Sequence, residues 1–129
     1  MTRTRYRRKP DQFVIAIQLE LETSGFDYQK WGGNQHCKAG DWLVRNGDDV
    51  YTVDKAVFER TYRGVGPGHY TKSTPIWAAK ATEAGTVKTK EGSTDYGVGD
   101  YLVFNDEAGK DEYAITQAKF ESLYEPFPE

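Results

Sequence analysis

The sequence is nearly without cysteine. Cys37 is the only one in 129 residues, so no disulfide can form within the chain and no cysteine-rich metal site can be built. Histidine is almost as scarce. His36 and His69 have no paired spacing such as His-x-x-x-His, and no cluster of acids surrounds either one. No metal is expected, and no cofactor motif is present. A Gly-x-Gly-x-x-Gly opening a helix after a strand is absent, as is a Gly-Lys-Ser/Thr phosphate loop. Long hydrophobic runs are missing as well. The longest, Phe13 to Ile17, is far short of the roughly 18 residues that cross a bilayer. The basic first residues lack the following apolar stretch of about 7–15 residues that marks a secretory leader. These absences set the expectation of a cytoplasmic location with no cofactor and no membrane partner.

Aromatics and glycine are abundant. Aromatic residues make up 14% of the chain and Gly occupies 13 positions, a combination that favours short strands joined by tight turns over a helical bundle. The apolar share of 37% and charged share of 29% suit one ordinary globular domain. The net charge of -3 is unevenly spread. Arg3, Arg5, Arg7, Arg8 and Lys9 fall in the first ten residues, which hold no acid. Removing these five from the 17 basic residues leaves 12 against 20 acids, so residues 11–129 sit at -8. A body that acidic repels phosphate backbones, and nucleic-acid binding is expected only through the N-terminal arm.

The sequence also matches itself. Shifted by 59 positions, Gly33, Gly40, Asp41, Leu43 and Val44 fall on Gly92, Gly99, Asp100, Leu102 and Val103. Shifted by 62, Tyr51, Ala56, Phe58, Glu59 and Tyr62 fall on Tyr113, Ala118, Phe120, Glu121 and Tyr124. Shared order and spacing of this kind indicate a tandem duplication. The expected organisation is a basic arm at 1–10, one repeat at 11–63, a connector at 64–75 and a second repeat at 76–129. Each repeat is expected to hold four strands: Phe13 to Leu19, Tyr28 to Trp31, Asp41 to Arg45 and Val50 to Val53 in the first. Ile76 to Ala81, Val87 to Lys90, Asp100 to Phe104 and Glu112 to Ile115 match them in the second. Asn46-Gly47 marks a hairpin turn. A short helix closes each repeat, capped by Asp54 or Thr116, with Phe58/Tyr62 and Phe120/Tyr124 spaced to share one face. The predicted fold class is mainly β, or β-rich α+β, with two pseudosymmetric four-stranded units packed as one barrel- or sandwich-like domain.

Tyr6-Arg7-Arg8-Lys9-Pro10 followed by Val14-Ile15-Ala16-Ile17-Gln18 resembles the opening of the PGDYG group of small phage and prophage proteins. Those proteins begin Tyr-Arg-Lys-Lys-Pro, continue into "VIEAIQW", and carry Pro-Gly-Asp-Tyr or Pro-Gly-Asp-Trp before a closing Phe-Glu-x-x-Tyr. Here the later elements occur twice, as Ala39-Gly40-Asp41-Trp42 with Phe58-Glu59-Arg60-Thr61-Tyr62, and as Val98-Gly99-Asp100-Tyr101 with Phe120-Glu121-Ser122-Leu123-Tyr124. Val87-Lys88-Thr89-Lys90-Glu91-Gly92 is similar to the group's "IKTLEG". The chain departs from the pattern in lacking Pro before either Gly-Asp and in having Leu19 where the group has Trp. The resemblance implies a phage or prophage origin and no particular chemistry.

Few residues invite a functional reading. Gly40-Asp41 and Gly99-Asp100 could supply a general base, but a positive-φ glycine with a turn-capping carboxylate explains both pairs, and they are expected to be structural. His36 and Cys37 are the one adjacent base and nucleophile. Neighbours on an extended segment point to opposite faces, which removes them as a catalytic pair. With Trp31 and Trp77, aromatics that the other copy does not match, they are candidate ligand-binding residues at the seam between copies. Arg3, Arg5, Arg7, Arg8 and Lys9, interleaved with Tyr6, are candidate nucleic-acid contacts. No residue stands out as catalytic. The expectation is a non-enzymatic phage-type accessory protein, monomeric or homodimeric, binding a small ligand or a protein partner. The alternatives are a nucleic-acid-binding accessory protein and a small enzyme with its site at the seam.

Overall fold

The computed structural model describes residues 3–20, 22 and 24–128. The first half runs β1 (Thr4–Arg8), β2 (Val14–Gln18), β3 (Gly25–Lys30), β4 (Gly33–Lys38), β5 (Trp42–Asn46), β6 (Asp49–Val53), α1 (Lys55–Thr61) and β7 (Tyr62–Gly66). The same succession follows in β8 (His69–Lys72), β9 (Ile76–Lys80), β10 (Gly85–Lys88), β11 (Ser93–Tyr96), β12 (Tyr101–Phe104), β13 (Glu112–Ile115), α2 (Gln117–Leu123) and β14 (Tyr124–Pro126). The chain is mainly β, with one short helix in each half. Each half holds more strands than the expected four. Tyr28 to Trp31 is one arm of the hairpin β3–β4, and Val87 to Lys90 overlaps the hairpin β10–β11. Polar side chains on both faces of these hairpins hide the period-2 alternation that reveals a half-buried strand.

The strands assemble into two open five-stranded antiparallel sheets. One has the order β13-β12-β9-β1-β14 and the other β6-β5-β2-β8-β7, so neither closes into a barrel. The first strand of each half belongs to the other half's sheet. β1 pairs Tyr6 with Ile76 on one side and Arg8 with Tyr124 on the other. β8 pairs Val14 with Tyr70 and Tyr62 with Lys72. Two expected boundaries are corrected by this exchange. Residues 4–8 of the arm are an inner strand, and the 64–75 connector contains β8. Both strands escape a hydrophobicity-based reading because their inward positions carry Tyr6 and Arg8, or Tyr70 and Lys72.

Each sheet has its own core. Val14, Ala16, Val44 and Phe58 form one cluster, joined by Tyr70 of the exchanged β8. Ile76, Ala78, Val103, Phe120, Leu123 and Tyr124 form the other, joined by Tyr6 of β1. The helices lie on these cores through stacked rings: Phe58 stands 4.2 Å from Trp42 and 4.6 Å from Tyr62, and Phe120 3.9 Å from Tyr101. Asp54 caps α1 by accepting from the Ala56 and Val57 amides, and Thr116 accepts from the Lys119 amide to cap α2.

The two Gly-Asp pairs build equivalent turns. Gly40 and Gly99 have φ of +93° and +92°, and Asp41 Oδ2 and Asp100 Oδ2 accept from the Lys38 and Gly97 amides, each at 2.9 Å. The matched Gly33 and Gly92 have another cause. The hairpins cross there, with Gln35 bridged to Gly92, and a Cβ on either glycine would overlap the Ser93 or the Asn34 carbonyl.

Candidate ligand cavity between the two halves

Where the halves meet, the fold encloses a cavity of about 510 Å³, within the range of small-molecule sites. Its inner wall comes from corresponding positions in the two halves. Tyr51 on β6 and Tyr113 on β13 face it, as do Tyr62 and Tyr124, the first residues after α1 and α2. The exchanged strands add one cation each at their last residues, Arg8 from β1 and Lys72 from β8. Both are buried, at 6% and 8% exposure.

Five of these six side chains hydrogen-bond to one another, while Tyr51 Oη accepts from Asn46 Nδ2 at 3.4 Å. Arg8 Nη2 donates to Tyr124 Oη at 3.0 Å and Tyr62 Oη at 3.3 Å, with the guanidinium 4.8 Å from the Tyr124 ring centre. Lys72 Nζ donates to Tyr113 Oη at 3.1 Å and Tyr124 Oη at 3.5 Å. The Tyr113 and Tyr124 hydroxyls are 3.1 Å apart. Among the described residues, no carboxylate forms an ion pair with Arg8 or Lys72. Arg8 Nε and Nη1 are buried with no partner, as is Asn105 Oδ1. Two buried cations without an acid are costly, because burial penalises charge that is not paired.

The phenols respond to those charges. Burial pushes the Tyr124 hydroxyl up, but the charges of Arg8 and Lys72, with hydrogen bonds from Tyr113 and Arg8, outweigh it and hold it down to about 7. Burial raises Tyr51 and Tyr113, and neighbouring phenols add to the effect. Tyr113 therefore stays protonated and donates to Tyr124. The site can place one phenolate between its two cations, a position that no carboxylate among the described residues takes.

The rim is acidic and partly compensated. Asp49 meets Lys30 at 2.8 Å and Lys119 at 3.1 Å, and Asp111 meets Arg60 at 2.9 Å. Burial pushes the Glu91 carboxyl up, and one of its oxygens accepts from the Asp54 amide at 2.7 Å. Trp31 stands at this rim, its ring centre 5.6 Å from that of Tyr51. With Gly32 it forms the two-residue turn of β3–β4, and both have positive φ, +56° for Trp31. Asn or Gly normally fills such a position, and a bulky side chain is strained there. Trp31→Gly is expected to raise stability by about 0.5–1 kcal/mol in urea unfolding, through relief of that strain, and to weaken ligand binding. A simple loss of stability would make Trp31 a packing residue.

Of the expected seam residues, only Trp31 lines this cavity. His36 is exposed and paired with Asp27, while Cys37 is fully buried on the opposite face of β4. Burial pushes the Cys37 thiol up, and Asp41 adds to that. Trp77 lies on β9, opposite Arg5 in the register and away from the lining. The arm is divided. Arg3 stacks on Phe104 and Arg5 on Phe127, Arg7 pairs with Glu125, and the Lys9 amide donates to the Leu123 carbonyl. Arg8 alone turns into the cavity.

The sequence reading missed Lys72 and the four tyrosines as site residues. Two signals carried them. Tyr51, Tyr62, Tyr113 and Tyr124 are matched positions, and Tyr6-Arg7-Arg8 corresponds to Tyr70-Thr71-Lys72 at an offset of 64, which shifts of 59 and 62 pass over. Comparison of the chain with protein-family models, curated proteins and solved structures gives no match.

Proposed function

We propose that this chain is a non-enzymatic binding module, an accessory protein of the phage type that its sequence resembles, which holds a small molecule in the cavity at the seam of a duplicated unit. One observation carries the reading: a space of about 510 Å³ walled by tyrosines contains two buried cations with which no carboxylate among the described residues forms an ion pair. Charged groups buried in this way are disfavoured for folding alone and are retained where they serve recognition. The enzymatic alternative loses support because His36 and Cys37 lie on opposite faces of a strand outside the cavity. The nucleic-acid alternative loses support because Arg3, Arg5 and Arg7 are engaged within the chain.

A thermal-melting screen of neutral, cationic and anionic small molecules tests the proposal. A ligand at 100 times its Kd stabilises the folded state by about 2.7 kcal/mol, an easily read shift. Stabilisation confined to one chemical class is the expected result. Melting unchanged by every class would overturn the reading.

A further inference from the structure

Resting on the cavity reading above, we propose that the ligand is a small monoanion whose carboxylate or phosphate head sits between Arg8 and Lys72, with a flat unsaturated body against the tyrosines. The argument begins with charge. Arg8 and Lys72 enter from two exchanged strands and meet over the same phenol, Tyr124, at 3.0 and 3.5 Å. Two like charges brought together in a buried site require a negative group between them. Among the described residues no carboxylate pairs with either cation: Asp49 and Asp111 at the rim are taken by Lys30, Lys119 and Arg60. The guanidinium also keeps three N–H donors free, one on Nε and two on Nη1. A carboxylate or phosphate is the group such donors select.

The rest of the cavity limits the ligand further. The aromatic side chains of Tyr51, Tyr62 and Tyr113, with Trp31 at the rim, line the space and suit a planar, apolar body. Asp48 and Glu112 also line the space, so a second negative charge on the body would be repelled, whereas N–H or O–H donors there would be accepted.

Binding should be linked to a proton. Tyr124 is faced by Arg8 from β1, Tyr51 from β6, Tyr62 from β7, Lys72 from β8 and Tyr113 from β13. In the empty protein its phenolate partly compensates the two cations above pH about 7. An anionic head takes over that role, so the phenolate must take up a proton for the ligand to enter. Affinity is therefore flat below about pH 7 and falls by ~10-fold per pH unit above it, one proton being bound per ligand.

Benzoate, inorganic phosphate, benzyl alcohol and benzylamine serve as probes in calorimetric titrations at pH 6, 7, 8 and 9. Benzoate should bind best at pH 6, phosphate should compete with it there, and benzyl alcohol and benzylamine should bind at least ~10-fold more weakly. Adding benzoate at pH 8 should reduce the ultraviolet absorbance of tyrosinate. Tyr124→Phe should bind benzoate with the same affinity from pH 7 to 9. Where that variant does not fold, Lys72→Met should weaken benzoate at pH 6 by about 100-fold. Equal binding of benzyl alcohol and benzoate would overturn the anion assignment and leave a neutral-ligand module standing. Failure of all four probes would overturn the assignment too, while the melting screen would separately decide whether the chain binds small molecules at all.

Discussion

Lys72→Met is expected to make the empty protein more stable at pH 6 while it weakens anion binding by about 100-fold. The two effects have one cause. Lys72 is buried, and its ammonium shares Tyr124 with Arg8. Methionine fills a similar volume with no charge, which removes the desolvation penalty and the repulsion between the cations. Replacing buried ion pairs by apolar groups of similar size is often neutral or stabilising by about 1–4 kcal/mol, and for this cation without an acid partner a gain in the lower half of that range is expected from urea unfolding. Losing one partner of a buried charged contact to a ligand costs about 2–5 kcal/mol of binding, which sets the scale of the affinity loss.

The stability gain should depend on pH. The folded pKa of Tyr124 is depressed to about 7 from an ordinary 10.0, so its phenolate contributes stability that is present above about 10 and lost as pH falls through 7. Below pH 7 the wild-type cations have no compensating charge and the variant gains most. Toward pH 9 the phenolate compensates them and the gain shrinks. Destabilisation at pH 6 would mean that Lys72 is an ordinary structural donor to Tyr113 and Tyr124.

Removing residues 1–9 is expected to abolish folding. A solvated basic arm could be deleted with little effect on the body, but β1 lies between β9 and β14. Its loss strips hydrogen-bonding partners from both strands, takes Tyr6 from its edge contact with Phe120 at 4.9 Å, and empties the Arg8 position. A domain of this size has about 5–15 kcal/mol of stability, and loss of an inner strand removes an amount of that order. Circular dichroism of the truncated chain should show little ordered β-structure. The triple change of Arg3, Arg5 and Arg7 to Gln should leave a folded protein, because exposed ion pairs and cation–π contacts contribute about 1 kcal/mol or less each. A truncated chain with native melting would contradict the exchange of β1.

Much of the fold was legible where one side-chain property dominates a position. Phe58/Tyr62 and Phe120/Tyr124 marked the helices by spacing, Asp54 and Thr116 marked their starts, and Gly40 and Gly99 marked turns that need positive φ. The hairpins were harder to see. Gly25–Lys30 and Gly33–Lys38 carry polar groups on both faces and pack chiefly against each other and the second hairpin, so alternation was absent. The site was hardest, because it depends on strand exchange. Arg8 reads as one of five arm cations and Lys72 as a loop residue until β1 and β8 carry them across to a shared phenol. Trp31 was found because it breaks the match between halves, whereas the inner tyrosines were passed over because they keep it.

Native mass spectrometry of the protein, first as purified gently from a host extract and then with added benzoate or inorganic phosphate, tests the central claim most directly. Expected is a reproducible adduct of one small anion per chain, displaced by benzoate and lost in Lys72→Met. A bare chain under all three conditions would contradict an anion site between Arg8 and Lys72.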